Sequence, residues 1–161
     1  MTATGPSDAA GRLRIRRNTP EDATRLFALW HAAVEATHHF LSPADRSEIA
    51  AMVRDDYLPA AELWVAAEAA DQPVAFLGMT GAHVDALFVD PARHGRGVGR
   101  ALMDFARARH AVLTVDVNEQ NPRAVGFYER LGFVRTGRSP TDDQGRPFPL
   151  LHLRLEASGN G

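Results

Sequence analysis

Three glycines in alternation, Gly95, Gly97 and Gly99, with Arg93, Arg96 and Arg100 threaded among them, are the residues whose types and spacing most directly suit a chemistry. Glycine has no Cβ and lets backbone amides converge on an anion, and a helix starting beside them adds free N–H groups and the positive end of its dipole. A phosphate-bearing ligand is therefore the expected guest of His94-Gly95-Arg96-Gly97-Val98-Gly99-Arg100; a plain Gly/Arg-rich loop is the alternative. Spacing sorts the common nucleotide loops. The phosphate loop G-x-x-x-x-G-K-[ST] requires a lysine, and the chain has none. The dinucleotide fingerprint requires G-x-G-x-x-G directly after a strand. Here the glycines run G-x-G-x-G after an intervening segment, Asp90 to His94, which disfavours that fold.

The rest of the composition removes whole classes of chemistry. There is no Cys, so disulfides, thiolate metal sites, iron–sulfur clusters and cysteine nucleophiles are excluded. All 18 basic side chains are Arg, a bias that a GC-rich bacterial genome produces, and it removes lysine Schiff-base chemistry as well. The net charge of −2 offers no excess of positive charge for nucleic acid. No H-E-x-x-H or similar pair suggests a metal, and none is needed. His110 and His152 stand isolated in the sequence. No apolar run approaches the ~20 residues of a membrane span, and MTATGPSDAAG lacks the regions of a signal peptide, so a cytoplasmic protein with no membrane partner is expected.

The elements that must position these residues follow from periodicity. The 161 residues suit one domain, 12–156, with fraying segments at 1–11 and 157–161. Leu13 and Ile15 alternate with Arg14 and Arg16 as a first strand. Thr19-Pro20 opens a helix carrying Ala23, Leu26, Phe27, Trp30, Ala33 and Val34 on one face, and Ser42-Pro43 opens a second that Pro59 closes. Residues 63–69, 73–81 and 83–89 read as an antiparallel meander with a turn at Asp71-Gln72. The glycine loop leads into a helix with Leu102, Phe105 and Ala106; 111–117 is a strand. Asn121-Pro122 opens a helix over Ala124 to Arg130, ended by Gly132, and 133–137 and 150–156 are the last strands. The class is α+β with a mixed sheet.

With those elements in place, the residues resemble the GCN5-related N-acetyltransferases (GNAT). Their acetyl-CoA motif, [Q/R]-x-x-G-x-[G/A], is matched by His94-Gly95-Arg96-Gly97-Val98-Gly99, with His in the first place as a departure. Leu87-Phe88-Val89-Asp90-Pro91 precedes it as the family's fourth strand does. Asn121-x-x-Ala124-x-x-Phe127-Tyr128-x-x-Leu131-Gly132-Phe133 is similar to the family's second signature. More narrowly, residues 36–41, 83–91, 117–121 and 149–151 resemble the bacterial YjaB-type acetyltransferases, regarded as protein-lysine acetyltransferases.

The resemblance implies a seven-stranded, mostly antiparallel twisted sheet splayed between its fourth and fifth strands and flanked by about four helices. It implies acetyl-CoA as co-substrate and direct attack by a small-molecule or peptide amine, in a monomer or homodimer. The pantetheine would bind the backbone of Leu87, Phe88 and Val89, one N–H polarising the thioester carbonyl. The pyrophosphate would sit on amides from Gly95 to Arg100, with Arg93, Arg96 or Arg100 in reach of phosphate. Asn121 would contact CoA or cap its helix. Tyr128 would protonate the departing thiolate, while Phe127, counted with the residues that bind the cofactor, has no polar end and suits packing. Asp116 stands where ribosomal-protein N-terminal acetyltransferases carry a catalytic Glu. His38, His83, Asp85 and Glu119 could act as base through water, and His38, His83, Asp85 and Asn118 are candidates to line the acceptor site; each has a plain structural role as alternative. A non-catalytic CoA-binding or toxin-antitoxin type module is the rival reading.

Overall fold

The computed structural model describes residues 13–156. The segments 1–11 and 157–161, expected to fray, lie outside the described residues. Seven strands form one sheet in the order β1-β2-β3-β4-β5-β7-β6. They are β1 Arg14–Arg17, β2 Leu63–Glu68, β3 Gln72–Thr80, β4 His83–Val89, β5 Val112–Asn118, β6 Val134–Ser139 and β7 Leu150–Glu156. Four helices accompany them: α1 Ala23–Thr37, α2 Pro43–Met52, α3 Val98–Arg107 and α4 Pro122–Arg130. The β1-β2-β3 and β5-β7-β6 ladders are antiparallel, and β4 runs parallel to β5. Among the described residues no helix is long and apolar enough to cross a membrane.

The described residues fall into two compact units. The first takes the chain through Gly78 with Ala86–Met103, and the second takes Met79–Asp85 with Asp104 onward. In the first, β2 and β3 are buried on both faces, with Leu63, Val65, Val74, Phe76 and Leu77 fully enclosed, and α1 supplies Leu26, Leu29, Trp30, Ala33 and Val34. Each of the Leu, Val and Phe side chains is worth roughly 1.5–3 kcal/mol over leaving it exposed. In the second, β5 and β7 alternate strictly. Leu113, Val115, Val117, Leu151, Leu153 and Leu155 are buried, while Thr114, Asp116, Asn118 and His152 are half-exposed on the opposite face. A polar face backed by an apolar one is thus written into these two strands.

Several boundaries move from the sequence reading. The first strand shifts by one residue. The turn before β3 falls on Ala70 and Asp71, both with positive φ, and not on Asp71-Gln72. Pro59 does not close the second helix at its own position, because α2 runs on through a wider turn, Val53–Tyr57, and a last helical turn, Leu58–Ala60, that contains it. The sixth strand extends to Ser139, two residues past the predicted end.

Candidate active site

The glycine loop lies in the first unit. Asp90 caps the single turn Pro91–Arg93 by accepting from Ala92 N at 3.0 Å, and its other carboxylate oxygen accepts from Arg25 at 2.7 Å. The chain then turns through His94 to Gly97, with Gly95 at φ 80° and Gly97 at φ 79°, the left-handed region that favours glycine. The Gly97 carbonyl accepts the first helical bond of α3 from Ala101 N at 2.9 Å. The amides of Val98, Gly99 and Arg100 therefore belong to the first turn, where no intrahelical acceptor exists. Val98 is buried and anchors that turn, while Gly95, Arg96 and Gly97 are exposed. Exposed left-handed glycines thus lead into first-turn amides at the start of α3.

Arg93 is committed elsewhere. Its guanidinium donates twice to the Glu68 carboxylate, at 2.8 and 2.7 Å, and holds that carboxyl below its usual range. Arg93 is thereby removed from the set expected to reach a phosphate. Leu87, Phe88 and Val89 are half-buried, and the Phe88 ring packs against Phe76 and Trp30 at centroid distances of 5.6 and 6.4 Å. His38 ends α1. Its Nδ1 lies 2.7 Å from the Thr37 hydroxyl, and burial, aided by neighbouring His39, lowers its basicity.

The second unit holds the other signature. Asn121 is buried and caps α4 by accepting from Ala124 N at 3.2 Å. The sequence reading gave the packing role to Phe127, and the structure reverses that. Tyr128 is 6% exposed and stands edge-on to Phe127 and Phe133, at 5.0 and 5.3 Å, whereas Phe127 is only half-buried. The order is reversed because position 128 faces inward on α4 whatever its chemistry. Burial pushes the Tyr128 phenol well above its ordinary value, so it stays protonated.

Asp116 is the centre of a cluster that the sequence did not reveal. In the β5-β7 register it faces His152, whose Nδ1 lies 2.6 Å from Asp116 Oδ1. His152 Nε2 in turn lies 2.7 Å from the Ser139 hydroxyl. On the other side, His83 Nε2 stands 3.6 Å from Asp116 Oδ2, beyond hydrogen-bond reach, and its Nδ1 lies 2.7 Å from the Thr114 hydroxyl. The expectation that His152 is isolated is thus corrected. Cross-strand register, which joins residues 36 apart, made the pair. Its only sequence signal was that both strands place a polar residue at the same phase of their alternation.

The remaining candidates are spoken for. Asp85 accepts from the Thr80 hydroxyl at 2.6 Å across the β3-β4 turn, and Asn118 Oδ1 accepts from Gln120 N at 2.8 Å. Glu119, offered as a base, is held by two bonds from Arg138, both 2.9 Å, which lower its basicity.

Residues 28–152 match the family described as acetyltransferase (GNAT) domain. The chain is 50% identical over 141 residues to the peptidyl-lysine N-acetyltransferase YjaB of Salmonella typhimurium (strain LT2), covering 88% of this chain and 97% of that protein. It is 32% identical to the peptidyl-lysine N-acetyltransferase YiaC of Escherichia coli (strain K12), covering 74% of this chain and 82% of that one. The solution structure of apo YjaB from Escherichia coli superposes with a TM-score of 0.84 at 50% identity, covering 88% of this chain and 96% of the other. The structure of YncA from Salmonella typhimurium with acetyl-CoA shares the fold, with a TM-score of 0.58 at 22% identity, covering 92% of this chain and 96% of that one. With the glycine cradle at the start of α3 and the Asn121–Phe133 signature on α4, these likenesses make the chain a member of the GNAT family of N-acetyltransferases.

Proposed function

We propose that this N-acetyltransferase moves the acetyl group of acetyl-CoA to the ε-amine of lysine in a protein or peptide acceptor, in the bacterial cytoplasm. The observation that carries the choice of acceptor is the 50% identity, over 88% of the chain, to proteins named peptidyl-lysine N-acetyltransferase. The fit of the loop supports the cofactor: exposed glycines at φ 80° and 79° leading into the first-turn amides of α3 suit a pyrophosphate. In this reading the amides from Gly95 to Arg100 hold the pyrophosphate, the backbone of Leu87 to Val89 holds the pantetheine, and Asn121 contacts CoA while capping α4.

The lysine must lose a proton before it attacks. An alkylamine of pKa ~10.4 costs ~4 kcal/mol to deprotonate near pH 7.4. Asp116 is the base in this proposal. Its Oδ1 is engaged by His152, whereas Oδ2 faces His83 across 3.6 Å, and its side chain is 31% exposed. The amine nitrogen then forms its bond to the acetyl carbon, the C–S bond breaks, and the departing thiolate is met by the Tyr128 hydroxyl. The acetyl group passes directly to the amine in this reading, with which the absence of Cys agrees. The test is a CoA-release assay with acetyl-CoA against lysine peptides, polyamines and amino sugars. Turnover confined to peptides is expected, with the label on lysine by mass spectrometry; faster turnover of a polyamine or amino sugar refutes the acceptor class.

A further inference from the structure

We infer that Ser139 is a second acyl acceptor, a nucleophile with His152 as its base and Asp116 as the residue that orients that base, active on short-chain thioesters and activated esters. The atoms carry this directly. A carboxylate only accepts hydrogen bonds, so the imidazole nitrogen 2.6 Å from Asp116, Nδ1, carries the proton in the neutral ring. Nε2 is then bare, and the Ser139 hydroxyl 2.7 Å away donates to it. Nucleophile on one ring nitrogen, carboxylate on the other, is the arrangement by which a serine hydroxyl is activated.

The local fold builds this arrangement. β6 carries an extra residue, Thr136, between Arg135, which pairs with Leu153, and Gly137, which pairs with His152. Bulges re-aim side chains in this way. Past it, Ser139 pairs with Leu150 on the same face as His152 and Asp116, while Arg138 pairs with Leu151 on the other. Gly137 directly opposite His152 presents no side chain; a Cβ there would stand 3.4 Å from the ring. That space lets the imidazole lie diagonally toward Ser139. All three side chains are half-exposed, so a small donor has access.

The step balances without any co-reactant but water. Ser139 Oγ bonds to the acyl carbon and its proton passes to His152 Nε2. The C–S or C–O bond of the donor breaks, and the leaving thiolate or alkoxide takes that proton. Water then attacks the Ser139 ester with the same base, releasing the carboxylic acid and restoring the hydroxyl. A thiol of pKa ~8.5 or a phenol of comparable acidity is a sufficient leaving group for such a relay. The proposed lysine transfer shares Asp116 with this relay but does not use Ser139, so substitution at Ser139 separates the two activities.

The experiment is p-nitrophenyl acetate and acetyl-CoA hydrolysis without amine, with acid-quenched peptide mass spectrometry, on the full chain and on Ser139→Ala. The chain has neither Lys nor Cys, so an acetyl group that hydroxylamine removes reports a hydroxyl ester. The wild type is expected to carry that label on Ser139. Ser139→Ala should lose it, together with at least ~10²-fold of the p-nitrophenyl acetate rate, the lower bound of general-base assistance. Ser139→Cys, which keeps a nucleophile, should restore release of p-nitrophenol. Transfer to a lysine peptide by Ser139→Ala should stay within about twofold of wild type, which also certifies its fold. No label on wild-type Ser139, a label at another residue, or an unchanged ester rate in Ser139→Ala overturns the inference.

Discussion

Tyr128→Phe removes one oxygen from a ring held edge-on by Phe127 and Phe133, and so separates chemistry from packing. Burial raises the phenol above its ordinary ~10, and the CoA thiol lies near ~8.5; complete proton transfer from Tyr128 to the thiolate is then uphill by at least ~2 kcal/mol. The hydroxyl should therefore stabilise the departing sulfur by hydrogen bonding to developing charge, an interaction worth about 1.5–3 kcal/mol. That corresponds to a fall in kcat of about 10- to 150-fold, with acetyl-CoA affinity unchanged and stability within ~1 kcal/mol because the ring remains. The assay is CoA release at saturating acetyl-CoA and lysine peptide, paired with calorimetric binding of acetyl-CoA. Since the raised phenol keeps its proton throughout, the ratio of wild-type to variant kcat should stay level from about pH 7 to 9.5. An unchanged kcat, an equal loss of affinity, or a ratio that collapses with a midpoint below 10 would refute the reasoning.

Gly97→Asp should abolish acetyl-CoA binding, because φ 79° strains any L-residue and a carboxylate repels the pyrophosphate; retained affinity by calorimetry sinks the cradle. For Asp116→Asn, kcat/KM with a lysine peptide should fall most below pH 8 and converge on wild type as free amine accumulates, whereas a loss independent of pH would show positioning instead. Asp22 is buried and accepts from both terminal nitrogens of Arg16, at 2.8 and 3.0 Å, and from Thr19 N at 2.8 Å, which depress its pKa. Asp22→Asn should cost about 2 kcal/mol in urea unfolding at neutral pH, since Arg16 keeps some exposure. A depressed folded pKa gives stability that is present above the unfolded ~3.9 and lost as pH falls through the folded value; the gap between variant and wild type should close below pH ~3.9, and a constant gap would contradict the pairing.

The glycine loop and the α4 signature were legible because each is a local pattern, a run of adjacent residues whose backbone demands are met on the spot. The strands were legible for the same reason: Leu113, Val115 and Val117 announce a buried face by alternation alone. Long-range pairing was not. His152 carries no mark that it will meet Asp116, because register across the sheet depends on where the intervening chain turns. Arg93 was misplaced on similar grounds, since Glu68 lies 25 residues away in β2. The inversion of Phe127 and Tyr128 has another cause: helical phase on α4 decides burial, and side-chain polarity is a weak guide to it.

The pairing of β6 from Gly137 to Ser139 is the reading frame of this face, and what it decides is separate from the length of the connection that follows. Residues 142–146 turn on their own bonds, Gly145 N to Asp142 O and Asp142 N to Arg146 O, before the chain is tied back by buried Phe148 and by the Pro149 carbonyl, which accepts from Glu119 N, so a change of length at that tip alters only the rim. Deleting Thr136 would close the bulge into a regular ladder and keep Gly137 opposite His152 and Ser139 opposite Leu150, whereas deleting Arg138 would shift the frame past His152 by one and turn Ser139 to the face of Leu151, withdrawing the hydroxyl from the imidazole. A one-residue deletion at that point of the strand would thus rewrite the chemistry of this face in a way that no substitution at a single site reproduces, whereas a change of length at the exposed tip leaves it untouched.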